Sequence, residues 1–295
     1  MTGYHRLSSD FLSTRLFGPV ALGLGWAPPI RYLLRRHRIL RLLRRIPPGA
    51  VLEVGCGSGA LLHDLAEAGY QATGLETSEP ARAMAKAIAQ AGQGSQRLLA
   101  EPDPGWHGHF DLICAFDVLE HIADDGLALD EWLAWLRPSG YLCLSVPAHS
   151  HRWGAGDEWA GHYRRYDRQP LKKLLQDRGL IIEHFECYGF PLANLTESVG
   201  NRTYRRLLAN RDREFAKEEA SAFSGIERGD YLRLFRRLDS LAGRTALHLA
   251  MVMQALTCRT DLGSGYLVLA RRHAAPMRVL LHLREAARMN PARML

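Results

Sequence analysis

Cysteine is scarce in this chain, five among 295 residues, and no two stand as Cys-x-x-Cys. That excludes a disulfide scaffold and a paired-thiolate zinc ribbon. Three of the five, Cys114, Cys143 and Cys187, fall on segments that read as buried strands, so the expected compartment is a reducing one, the cytoplasm. The first residues lack a basic patch followed by an apolar region and a cleavage site, and no secretory leader is expected. Long apolar runs are missing too. The longest, residues 246–257, holds His248 and Gln254 and is too short to cross a bilayer. No Gly-x-Ser-x-Gly elbow occurs, which removes the usual serine-nucleophile chemistry. Internal repeats and low-complexity tracts are absent.

What is present is a strand that runs into glycines. Residues 51–59 read Val-Leu-Glu-Val-Gly-Cys-Gly-Ser-Gly. A chain that leaves a strand, passes its backbone close to a ligand and enters a helix needs glycine at those turns, because a Cβ would clash. The helix that follows, from residue 60 to about residue 68, presents its first amides to that ligand. Gly55, Gly57 and Gly59 are evenly spaced, whereas a dinucleotide fingerprint places its last glycine three residues after the second. Next comes an alternating strand from residue 71 that closes on Glu76, where a doubly wound fold puts the carboxylate that chelates ribose hydroxyls. Thr77 and Ser78 cap the following helix, which carries Ala81, Met84, Ala85 and Ile88 on its buried stripe. A third strand, residues 112–116, ends in Asp117 and is followed by Leu119-Glu120-His121.

Glu-x-Gly-x-Gly-x-Gly resembles the first motif of the class I S-adenosylmethionine-dependent methyltransferases. The segment after Asp117 is similar to that of the ubiquinone-biosynthesis type of small-molecule methyltransferases. The resemblance covers residues 51–187 and a last strand near 265–271. It implies an α/β, Rossmann-like, seven-stranded and mostly parallel sheet with helices on both faces and the last strand antiparallel. It also implies S-adenosylmethionine as cofactor, with S-adenosylhomocysteine as product. Glu53, Gly55, Cys56, Gly57, Gly59, Glu76, Thr77, Phe116 and Asp117 are then the cofactor-binding candidates, with Asp117 at the methionine end. Glu101 and Trp106 lie in the stretch where the family has its adenine contacts, but residues 103–109 depart from the pattern and neither is assigned.

Residues 147–166 crowd three histidines, two tryptophans and three arginines into a glycine-punctuated loop after the next strand, residues 141–146. Loops held by a rigid sheet are where chemistry concentrates, and a similar Trp, Asp and His-x-Arg-Arg-Tyr series in some bacterial small-molecule methyltransferases implies a lid over the acceptor. His149, His162 and His121 are the candidate bases, since neutral imidazole is suited to accept a proton near pH 7. Trp153, Trp159 and Tyr163 would shape an apolar pocket, and Arg164 and Arg165 would hold an acidic group of the substrate. No metal site is expected, because no two of these histidines stand at i, i+4.

The domain plan has an N-terminal helical cap at 1–48 and a cofactor domain at 49–187 and 263–273. A helical substrate lid, 188–262, interrupts it with helices near 192–209 and 229–257 and a charged segment at 211–219. A basic helix or tail, 274–295, closes the chain. The net charge of +7 sits largely on residues 31–45 and on the tail. Residues 31–45 read as a helix whose apolar face covers the sheet edge or cofactor mouth while its arginines snorkel or stay wet. A peripheral membrane contact and a homodimer stay open; nucleic acid is not an expected partner. The expected function is methyl transfer to an oxygen of a small molecule. N-methylation, an RNA methyltransferase using the basic helix, and a nicotinamide oxidoreductase are the alternatives.

Overall fold

The computed structural model describes residues 11–209 and 229–273. Its centre is one seven-stranded sheet made of β3 (Ala50–Val54), β4 (Gln71–Leu75), β5 (Arg97–Leu99), β6 (Phe110–Phe116), β7 (Leu136–Pro147), β8 (Leu180–Tyr188) and β9 (Gly265–Arg272). The order across the sheet is β5-β4-β3-β6-β7-β9-β8. All neighbours are parallel except β9, which runs antiparallel to both β7 and β8. The order reverses at β3, so the carboxyl ends of β3 and β6 flank a crevice, the place where open sheets of this kind take ligands.

Helices cover both faces because the central strands are apolar on both sides, as parallel strands must be when neither side meets water. One layer holds α4 (Asp125–Trp135) and α6 (Arg168–Gln176), packed on Leu52, Ile113, Leu142 and Val268. The other holds α1 (Ile30–Leu43) and α2 (Ala60–Glu67), packed on Val51, Leu112, Cys114 and Leu267. Cys114, Cys143 and Cys187 are buried free thiols on strands, as the sequence predicts. α4 stops at Trp135, and Arg137 to Gly140 already belong to β7.

Two expectations need correction at the amino end. Residues 11–21 are not helical: β1 (Phe11–Thr14) and β2 (Gly18–Ala21) form an antiparallel hairpin, and only α1 is a helix of any length there. Nor do most of the α1 arginines stay wet, Arg41 excepted. Arg31 and Arg35 face Asp117 after β6, Arg36 forks onto Asp64 of α2 at 2.5 and 2.6 Å, and Arg38 forks onto Glu186 of β8 at 2.7 and 2.6 Å. Helical spacing i, i+4, i+7 places Arg31, Arg35 and Arg38 along one face, turned toward the sheet. α1 is therefore pinned to three different elements by charge as well as by Leu33, Leu34, Ile39, Leu42 and Leu43.

The insertion after β8 carries α7 (Leu192–Ala209), α8 (Gly229–Leu238) and α9 (Leu241–Thr257), so the expected stretch 229–257 is two helices broken at Asp239-Ser240. It shares an apolar cluster with the N-terminal segment, where Phe17, Val20, Leu33 and Leu34 meet Ala193, Phe235, Leu247 and Met251. The charged segment 211–219 and the tail 274–295 lie outside the described residues. Among the described residues no helix is long and apolar enough to cross a membrane.

Candidate active site

The glycine loop leaves β3 with Gly55, Gly57 and Gly59 all at positive φ, 64°, 54° and 70°. A Cβ on Gly55 would strike Val118, and one on Gly59 would strike Ala85 of α3 (Glu79–Ala91). At Gly57 a Cβ would meet nothing within 4 Å. Gly55 and Gly59 are thus needed for packing, while Gly57 leaves space beside its backbone. Glu76, just past β4, accepts from the Gly57 N–H at 2.8 Å and from the Ser78 N–H at 2.9 Å. Arg82 of α3 caps the Glu76 and Thr77 carbonyls. Cys56 is buried against the same turn. Glu53, one strand position inside, is 5% exposed, and its Oε2 finds no hydrogen-bond partner among the described residues. Burial pushes its carboxyl up to about 8.

Asp117 sits opposite, after β6, at φ 55°. Its N–H donates to the Ser145 carbonyl at 2.9 Å, and Ser145 Oγ donates back to its Oδ1 at 3.1 Å. Burial alone would raise its pKa, but Arg35 and Arg31 hold it below the usual carboxylate range. Arg35 also lies over the Phe116 ring, 5.9 Å from the centroid, and its Nε has no hydrogen-bond partner. The Tyr188 hydroxyl, at the end of β8, faces Arg31.

A short 3-10 turn, Leu119–His121, then carries Glu120 and His121 inward. Glu120 is fully buried, among the described residues none hydrogen-bonds its side-chain oxygens, and burial and the Asp117 charge drive its pKa well above normal. His121 meets His162 edge to face with ring centroids 4.6 Å apart. Burial, and then His162, press His121 down to about 4. His162 Nδ1 lies 2.9 Å from Asp157 Oδ1, and Arg165 Nε donates to both Asp157 oxygens at 2.8 Å. Burial opposes ionisation of Asp157, yet His162 and Arg165 together bring it to about 2. Arg165 continues to Glu197 of α7 at 2.7 Å, which also takes Arg152 at 3.1 Å. The Tyr163 N–H closes the unit on the Glu120 carbonyl at 2.8 Å.

The sequence-predicted residues therefore divide. Glu53, Gly55, Gly57, Gly59, Glu76, Phe116 and Asp117 gather at the carboxyl ends of β3, β4 and β6, and His121 and His162 join Asp117. His149 does not. Its Nε2 lies 3.2 Å from the Gly263 carbonyl and its Nδ1 3.4 Å from the Tyr266 hydroxyl, among residues of β8 and β9. Arg165 is 8% exposed with its charge engaged by Asp157 and Glu197, and Arg164 pairs with Asp125 and the Ala123 carbonyl. Neither guanidinium is free for an acidic substrate group. Trp159 stacks on Tyr204 of α7 at 4.8 Å, anchoring the loop to the insertion, while Trp153 and Tyr163 stay exposed. Trp106 belongs to the core, edge-on to Phe110 and Trp135. Sequence reasoning missed Arg31, Arg35 and Glu197. Helical periodicity of the α1 arginines is the signal that finds the first two. A surface recess of about 330 Å³ beside Ala50, Gln71 and Phe110 opens at the amino ends of the strands, away from all of this chemistry.

A seven-stranded sheet in this order, with a glycine turn after β3 and acids closing β4 and β6, defines a class I methyltransferase fold. The methyltransferase-domain family matches residues 30–184, and the chain belongs to that family. A ubiquinone biosynthesis O-methyltransferase of Nitrobacter winogradskyi is 30% identical over 142 residues, 39% of this chain and 54% of that protein. One from Bradyrhizobium diazoefficiens is 33% identical over 114 residues, 37% and 44% of the two chains. The chain thus spans about half the length of the curated relatives it matches. Among solved structures, the [4+2]-cyclase SpnF superimposes with a TM-score of 0.52 at 18% identity, over 89% of each chain, a likeness of fold.

Proposed function

We propose that this enzyme transfers the methyl group of S-adenosylmethionine to an oxygen of a small molecule. The observation that carries the reading is the chain Arg165–Asp157–His162–His121 beside Asp117, an oriented imidazole after the carboxyl end of β6. The family relationship supports the cofactor, and the O-methyltransferase relatives support the acceptor atom.

The residues at the carboxyl ends of the strands fit such a cofactor. The open space beside Gly57 admits a ligand where a side chain would block it, and Glu53 and Arg35 each keep a polar atom without a partner. Glu76 would hold the ribose with its two oxygens, while Gly55, Cys56 and Gly57 would line the loop and Gly59 start the helix, with Thr77 and Phe116 at the flanks. Arg35 and Asp117 would bind opposite charges at the methionine end. Bound S-adenosylmethionine supplies an already activated sulfonium methyl group. The protein's task is then alignment, which recovers on the order of 7–11 kcal/mol when reactants are well oriented.

An acceptor hydroxyl must also lose its proton. Asp157 accepts from Nδ1 and so fixes the His162 tautomer with Nε2 as the basic atom, the same logic by which a buried aspartate orients a catalytic histidine. His121 meets that ring edge to face, and the exposed Trp153 and Tyr163 of the same loop would shape the acceptor's surroundings. Arg35, Arg36 and Arg38 of α1 are engaged by internal carboxylates, which favours the small-molecule reading over the RNA one. The test is calorimetry with S-adenosylmethionine and S-adenosylhomocysteine, followed by incubation with trideuteromethyl cofactor and fractionated cell extract. Label recovered as a methyl ether or ester is expected. Label on nitrogen, carbon or RNA overturns the acceptor, and tight cofactor binding with no transfer at all would point to other chemistry on the same fold.

A further inference from the structure

A second concentration of chemically capable side chains lies outside this site, where the helical insertion leaves the sheet and rejoins it. Cys187 is the last residue but one of β8, Asp261 lies shortly before β9, and His149 follows β7 by two residues. Neighbouring strands β7, β9 and β8 thus bring three donors of different kinds to one end of the sheet. One donor atom from each lies within 4.8 Å of the others. Cys187 Sγ and His149 Nε2 are 3.8 Å apart. A sulfur about 2.3 Å and a nitrogen about 2.05 Å from a tetrahedral zinc stand roughly 3.6 Å from each other, so this pair is already close to ligand spacing.

Both side chains are buried, and neither has a strong alternative partner. The contacts of His149 to Gly263 and Tyr266, at 3.2 and 3.4 Å, are long for hydrogen bonds. Asp261 is engaged by Arg168 through Oδ1, at 3.0 and 3.2 Å, and the Tyr266 hydroxyl also faces its carboxylate. Arg152 reaches the Gly263 carbonyl at 3.0 Å. Two guanidiniums beside the cluster mean that a cation is tolerated there only against an ionised thiol and an ionised carboxylate together. A Cys, His and Asp set selects zinc over magnesium or calcium, which take oxygen ligands.

We propose that His149, Cys187 and Asp261 bind one divalent cation of the zinc class and so clamp the two hinges of the insertion to the sheet. On binding, the Cys187 sulfur–metal bond forms as the thiol proton passes to solvent, with no change of oxidation state. The sequence reading expected no metal because it looked for histidines one helical turn apart; these donors come from three separate strand ends. The proposal is independent of the acceptor and of the base assigned above.

The test uses the full chain, stripped with EDTA and kept reduced with a phosphine. Titration with Co²⁺ is expected to give one equivalent bound, with a sulfur-to-cobalt charge-transfer band in the near ultraviolet, and Zn²⁺ should displace it. Cys187→Ser should abolish that band. Asp261→Ala, at an exposed position that will not disturb folding, should weaken Co²⁺ at least tenfold, while His151→Ala should leave it unchanged. Absence of the band in the wild-type protein overturns the proposal, as does its persistence in Cys187→Ser or a wild-type affinity in Asp261→Ala. Loss of cobalt in His151→Ala also overturns it, because the donors would then be the alternative set His149, His151 and Asp167, which likewise lie within 4.8 Å. S-adenosylhomocysteine affinity, measured on the same samples, reports the methyl-transfer site separately.

Discussion

At the proposed cofactor end of the crevice the backbone is the working part. Gly55, Gly57 and Gly59 hold left-handed φ values, and Glu76 is aimed by two main-chain N–H groups. At the proposed acceptor end the working parts are ionisable side chains from four segments: α1 sends Arg31 and Arg35, the turn after β6 sends Glu120 and His121, the loop after β7 sends Asp157, His162 and Arg165, and α7 sends Glu197. The first end depends on the left-handed glycine turn and the one carboxylate that its N–H groups aim. The second depends on long-range ion pairs, where removing one member strands the others in a buried place.

The largest way to break the comparison is Gly57→Val. A β-branched residue at φ 54° costs about 1–2 kcal/mol of backbone strain. Its side chain also enters the space that glycine leaves open. Cofactor affinity should fall more than a hundredfold by calorimetry with S-adenosylhomocysteine, while far-ultraviolet dichroism stays that of the native sheet. A wild-type affinity would mean that the ligand does not approach this turn.

His162→Ala follows, set against His149→Ala. General-base catalysis contributes about 10²–10⁴-fold, so His162→Ala should lower kcat by that order and leave the S-adenosylhomocysteine Kd nearly unchanged. His149→Ala should leave kcat within a few-fold. Equal losses in both variants would reunite the two histidines that the structure separates.

That separation shows where a sequence stops being legible. The seven strands and the antiparallel last one were implied by the family resemblance, whereas the glycine turn and the place of Glu76 at the end of β4 were readable directly, because local backbone demands and a strand's periodicity fix them. His121, His162 and His149 could not be ranked from sequence, since their roles depend on which neighbours the loop after β7 meets, and Asp157 and Tyr266 are chosen by tertiary packing. The α1 arginines were misread for a related reason. A basic amphipathic helix looks solvated until its carboxylate partners, Asp117, Asp64 and Glu186, arrive from 28 to 148 positions away. The hairpin at 11–21 was missed because four-residue strands carry too little alternation to register.

Arg38 and Glu186 give the comparison a pH axis. Burial opposes the Glu186 charge, but Arg38 and His184 bring its pKa to about 2, against roughly 4.3 in an unfolded chain. A depressed carboxylate contributes stability that is present above the unfolded value and lost as pH falls through the folded one, here on the order of 3 kcal/mol between about pH 5 and 2. Urea unfolding at pH 7, 5 and 3 should show wild-type stability dropping across that window. Arg38→Ala should begin lower and lose less on acidification; an identical acid slope in both proteins would show that the pair does not carry the effect.

The smallest effect sharpens the comparison most finely, because it falls on adjacent residues of the same type. Arg165 is buried and holds Asp157 and Glu197 together; its replacement by alanine strands two carboxylates, a loss that runs to about 3–5 kcal/mol in buried pairs. Arg164 turns the other way, to Asp125 and the Ala123 carbonyl, with about a third of its side chain exposed. Exposed pairs contribute about 0–1 kcal/mol, so Arg164→Ala should shift the unfolding free energy by less than about 1 kcal/mol and leave turnover and KM near wild type. A rise in KM with unchanged kcat would reinstate Arg164 as a holder of the acceptor's acidic group, since loss of uniform binding has that signature. Such a result would also require the guanidinium to exchange Asp125 for the substrate, which the Arg164→Lys variant could not reproduce with its single point charge.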